Sequence, residues 1–127
     1  MNKMLLVNGW FAQQGVKINL NPENMLPALY LAEGSWMFHG HFAFEREGSF
    51  EGITYDRCGI ADITNGSIVD DKLSFYKHYV QRNDAIFYEF VLNRSTGLYE
   101  GTYSGVLTGE GSARLMLTTP PEKFFVQ

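Results

Sequence analysis

The sequence predicts an all-β protein, an antiparallel meander of about eight strands closed into a barrel. Three observations carry this. Ten Phe, seven Tyr and two Trp in 127 residues give an aromatic-rich chain with 13 Gly, a composition that favours strands over helices. From Trp36 to Phe44 every second residue is apolar or Gly (Trp36, Phe38, Gly40, Phe42, Phe44), the period of a strand with one buried face. Beyond it, short breaks rich in Gly, Asn, Asp or Ser recur at hairpin size with no long crossover. A meander without a crossover removes its edges by closing, whereas a two-sheet sandwich usually needs at least one long connection.

In chain order, Met4–Val7 and Val16–Leu20 are β-prone, with Asn8-Gly9 and Gly15 available for turns. Asn21-Pro22-Glu23-Asn24 has the order of a helix start, and Gly34 is placed to end one, so a short helix is expected near residues 22–33. An apolar strand over Met25–Leu31 is the other reading. Strands are then expected at Ser35–Glu45, Phe50–Arg57, Ile60–Val69, Lys72–Gln81, Ala85–Asn93, Leu98–Leu107 and Ser112–Thr118. Asn65-Gly66, the strongest hairpin dipeptide in the chain, falls inside one of them. Reading it as a bulge, with the turn at Asp70-Asp71, keeps the strand lengths matched. Pro120-Pro121 ends sheet pairing and leaves an apolar tail at Lys123–Val126. No linker composition divides the chain, so residues 1–127 read as one barrel domain.

A net charge of −4 with scattered basic residues argues against nucleic acid, which needs clustered Lys and Arg. The single Cys58 rules out an internal disulfide and gives no sign of an oxidising compartment. Met4–Val7 is too short an apolar run for a signal h-region or a membrane span. The expectation is a cytoplasmic domain with no membrane partner and no cofactor.

Gly34-Ser35-Trp36 at the head of a long strand, with Arg114 in the last strand, resembles the calycin signature of lipocalins, fatty-acid-binding proteins and avidins. The resemblance implies a cup-like barrel whose Trp36 forms a floor packed on Arg114. The lipocalin T-D-Y element, the R-x-Y carboxylate motif and the several Trp of an avidin site have no counterpart here, so no particular ligand is implied.

Phe75, Lys77 and Tyr79 share a strand face with Leu73, and burial of Leu73 and Phe75 would carry Lys77 inside. A buried cation among phenols is an anchor for an anionic ligand, or else the partner of an internal carboxylate. The candidate ligand-binding residues are Lys77, Tyr79, Tyr88, Tyr103 and Trp36, with Tyr99 and Thr54 able to add polar groups; each Tyr could equally be core packing. No catalytic or metal-binding residue is assigned. His39 and His41 have H-x-H spacing, but the alternation turns them outward, and only His78 accompanies them. Asp56 and Asp62 flank a turn without a nucleophile or base beside them. The leading reading is a barrel that binds a small, partly apolar ligand, with an anion among the candidates. One alternative is a filled barrel acting as a protein-interaction module, for example as a homodimer. The other is a barrel isomerase or metal-assisted enzyme in which His39, His41 and His78 converge.

Overall fold

The computed structural model describes residues 3–13 and 35–120. Eight strands follow in order: β1 (Lys3–Gln13), β2 (Ser35–Arg46), β3 (Ser49–Asp56), β4 (Gly59–Val69), β5 (Lys72–Tyr79), β6 (Ala85–Asn93), β7 (Leu98–Gly105) and β8 (Gly109–Thr118). Each pairs antiparallel with its sequence neighbour, and β8 returns to β1, so the sheet closes into a barrel with no free edge. No helix lies among the described residues, and none there is long and apolar enough to cross a membrane. The expected helix near 22–33, the strand at Val16–Leu20 and the tail at Lys123–Val126 all fall outside them.

The alternation read in the sequence is the alternation of the wall. Phe38 and Phe42 of β2, Phe50 and Thr54 of β3, and Leu73, Phe75, Lys77 and Tyr79 of β5 all point inward and are buried. The Asn65-Gly66 bulge has a structural task. The β4 register slips between Thr64 and Ser67, so the inward residues change from Ala61 and Ile63 to Gly66 and Ile68. Without the extra residue Ile68 would face solvent. The turn is at Asp70, which adopts φ 54°.

One expected break is absent. Asn8-Gly9 makes no turn, and β1 runs straight through it to Gln13. Gly9 points inward where the far end of the Phe38 ring lies against it, and a Cβ there would collide with that ring. The glycine meets a close approach and not a reversal of the chain.

Stacked rings form a plug within the barrel. Phe42 stacks on Phe50 at 4.4 Å, and Phe75 meets Phe42, Tyr88 and Phe90 at 5.4, 5.0 and 5.8 Å between ring centres. Rings at these separations add about 0.5–1.5 kcal/mol per pair beyond burial. This plug lies toward the end that carries the β2–β3, β4–β5 and β6–β7 turns; beyond it, at the β2–β3 turn, Leu5, Phe44, Arg46 and Ile68 line a hollow of about 370 Å³. At that end Arg94 forms an exposed bidentate pair with Asp71.

Candidate functional site

The polar residues inside the barrel gather toward the other end, where the β3–β4, β5–β6 and β7–β8 turns lie. Strand parity puts them there. On β3 the inward set is Phe50, Gly52, Thr54 and Asp56; on β5 it ends Lys77, Tyr79. Asp56 is the last residue of its strand, so its carboxylate enters the barrel beneath the rim and meets both β5 groups. Lys77 Nζ donates to Asp56 Oδ2 at 2.6 Å, and Tyr79 Oη donates to the same oxygen at 2.6 Å. The other oxygen, Oδ1, accepts the backbone N–H of Cys58 at 2.7 Å and so fixes the β3–β4 turn.

The Lys77–Asp56 pair is sealed, with side chains 1% and 0% exposed. Four rings cage the ammonium: Phe11 and Phe38 at 4.8 Å, Tyr79 at 4.9 Å and Tyr88 at 5.5 Å from their centres. Burial draws the Lys77 amine below the ordinary lysine value, with Asp56 pulling the other way. Burial raises the Tyr79 phenol, and its hydrogen bond to Asp56 adds to the effect. Tyr88 and Tyr103 are likewise raised, by burial first. At neutral pH these tyrosines are O–H groups.

Above this layer opens a cup of about 260 Å³. Its walls include Phe11, Trp36, Tyr79, Ile86, Tyr88 and Tyr103, and Arg82, Cys58, Leu107 and Thr108 form the rim. Phe11 packs on Trp36 at 5.4 Å and meets Tyr103 edge-on at 6.0 Å. Two guanidiniums stand at the rim, Arg57 over the Trp36 ring at 5.8 Å and Arg82 over the Tyr79 ring at 5.3 Å. Arg82 Nη2 donates to Thr108 Oγ1 at 3.2 Å. Thr108 in turn gives both its backbone N–H and its hydroxyl to Asp84 Oδ2, at 3.1 and 2.7 Å.

Of the five residues singled out in the sequence, Trp36, Tyr79, Tyr88 and Tyr103 line this cup, while Lys77 lies one layer beneath it. Trp36 does not rest on Arg114. It faces inward beside Phe11, whereas Arg114 is on the outer face, opposite Trp10 and 3.6 Å from Glu100. The rim arginine over Trp36 is Arg57. Thr54 is fully buried, and its hydroxyl has no hydrogen-bond partner among the described residues. Tyr99 packs part-buried against the core. Asp56 and Asp62 do not form a carboxylate pair: six positions and a turn apart, they occupy opposite faces, Asp62 outward across from His78. Asp56 was within reach of sequence reasoning, since it continues the Phe50–Gly52–Thr54 parity. Phe11 was hidden by the break expected at Asn8-Gly9.

The histidines stay apart. His39 is exposed and stacks on Tyr55 at 5.7 Å, His41 shares its outer face on β2, and His78 sits three strands away on the outside of β5. Among the described residues no three His, Cys, Asp or Glu side chains group to hold a metal ion. Comparison of the chain with protein-family models, curated proteins and solved structures finds no match, so what is established is the architecture: an eight-stranded antiparallel closed barrel.

Proposed function

We propose that the protein is a calycin-like small-molecule-binding barrel that takes a ring-sized, mainly apolar molecule into the cup beneath Trp36. The observation that supports this most is the aromatic wall of the cup of about 260 Å³, closed below by the Lys77–Asp56 floor, whereas the hollow of about 370 Å³ at the opposite end is bordered by the charged Lys3, Arg46 and Glu47. Ligand pockets in proteins typically run from about 300 Å³ upward, and an apolar cavity of about 150 Å³ admits benzene, so this cup suits one ring with a short substituent. The Lys77–Asp56 pair supports an apolar occupant as well, because the floor under the cup offers no uncompensated charge. Lys77 shapes the floor and does not reach the ligand.

The test is native mass spectrometry of the protein purified without denaturation, followed by titration with toluene and benzyl alcohol. An adduct of one to a few hundred daltons, or saturable binding of a ring probe, supports the reading; a bare chain that binds neither probe opposes it.

A second reading draws on the same end of the barrel. Val106 and Leu107 are 96% and 67% exposed on the β7–β8 turn, and Val80 and Ile60 are also exposed nearby, so apolar side chains crown the rim. Such a crown is what a protein-interaction module would present, in line with a homodimer. A bare dimer mass that Leu107→Ser converts to monomer would favour it.

A further inference from the structure

We propose that the occupant of the cup is an organic acid whose carboxylate is held at the rim by Arg82, with Arg57 as a second, weaker donor. This rests on the binding reading above and names its ligand class. The charge layout assigns the anion to the rim and not to the interior. Lys77 and Asp56 neutralise one another in the floor. Neither Arg57 nor Arg82 has a carboxylate within ion-pair distance among the described residues, whereas Arg94 and Arg114 are paired with Asp71 and Glu100. Asp84 lies within Coulombic reach of Arg82, and its Oδ2 accepts both hydrogen bonds from Thr108. Among the described residues that line or rim the cup, Asp84 set against the two arginines leaves one positive charge over.

The geometry of Arg82 fits the task. Its guanidinium is steadied over the Tyr79 ring at 5.3 Å and by Thr108 Oγ1 at 3.2 Å, so little freedom remains to be lost when a ligand arrives. One donor is used by Thr108, and the planar fork keeps further N–H groups for a carboxylate. A ring held between Trp36 and Tyr103 would carry its acid group outward to this fork. Burying the acid deeper would strip its water over a floor whose one cation is already paired with Asp56. The site therefore selects acids with the charge at one end and a single ring at the other.

The experiment compares phenylacetate with its uncharged isostere phenylacetamide, by calorimetric titration of the whole chain and of Arg82→Met, Arg82→Lys and Arg94→Met. Phenylacetate is expected to bind at least about tenfold more tightly than the amide, as one charge-assisted hydrogen bond allows. Raised salt and Arg82→Met should both erase that preference, while Arg82→Lys restores part of it and Arg94→Met, at the far end, leaves it intact. Equal binding of acid and amide, unchanged in Arg82→Met, would overturn the anion assignment and leave the cup standing. Binding of neither compound, nor of toluene, would overturn the cup itself and the assignment with it. Both Arg82 variants change an exposed loop residue, and an unaltered melting temperature verifies that they are folded.

Discussion

Replacing Asp56 with Asn leaves the Lys77 ammonium buried without its anion. Two outcomes are open to that side chain, and the cheaper one sets the cost. Remaining charged and unpaired costs about 3–5 kcal/mol, the usual penalty for removing one partner of a buried pair. The four rings around Nζ, all within 5.5 Å, return about 0.5–2 kcal/mol of this. Shedding the proton instead costs about 1.4 kcal/mol for each pH unit below the free lysine value of about 10.4, or about 4.6 kcal/mol at pH 7. Tyr79 also exchanges a charged acceptor for a neutral one, a loss of about 1 kcal/mol. The expected destabilisation at pH 7 is thus about 4 kcal/mol. It should shrink as pH rises from 7 to 9, because a neutral amine needs no counter-ion. Urea unfolding of both proteins at pH 7, 8 and 9, with equal slopes, measures this difference directly. The double variant Asp56→Leu with Lys77→Met removes both charges and should recover most of the loss. A loss below about 1 kcal/mol at pH 7, or one that does not change with pH, would refute the sealed-pair account.

Other expectations follow from the same packing. Phe38→Ala should cost about 3–5 kcal/mol, because its ring is fully buried in the middle of the barrel. Trp36→Ala, at the half-open mouth, should cost clearly less, and equal costs in chemical denaturation would place Trp36 in the core instead. Gly9→Ala drives a methyl group into the Phe38 ring and should destabilise by about 1–3 kcal/mol; a neutral effect would mean that ring has room to move. Tyr79 and Tyr88 hold raised phenol values, so they lend stability that is complete below about pH 10 and lost as pH climbs toward their folded values. Lys77, being lowered, works in the opposite sense up to about pH 10.4. Above that, stability should fall by about 1.4 kcal/mol per pH unit for each phenol, and Tyr88→Phe should flatten the fall. Denaturant midpoints between pH 10 and 12 check this, and an equally steep decline in Tyr88→Phe would remove Tyr88 from the effect.

The barrel could be read from the sequence because its strands are bounded by local chemistry. The Glu47-Gly48, Cys58-Gly59 and Asp70-Asp71 turns all lie where Gly or Asp can take the required backbone angles. Even the bulge at Asn65-Gly66 followed from matching strand lengths. The break expected at Asn8-Gly9 failed because a glycine that admits Phe38 from a neighbouring strand looks, in one dimension, like a glycine that turns the chain. The interior position of Lys77 followed from its neighbours Leu73 and Phe75, but its partner did not. Asp56 lies 21 residues away across two strands, and only the register brings the two side chains together. The same is true of Arg57, which stands over Trp36 from the β3–β4 turn while Arg114 points away on the outer wall.

The most direct test of the cup is a two-dimensional amide correlation spectrum recorded during titration with phenylacetate. The account predicts saturable shifts concentrated at Phe11, Cys58, Tyr79, Arg82, Tyr103 and Thr108, and at the Trp36 indole, with the plug residues Phe50 and Phe90 unmoved. Shifts centred on the outer wall or on the opposite end near Arg94, or no shifts at millimolar ligand, would contradict it.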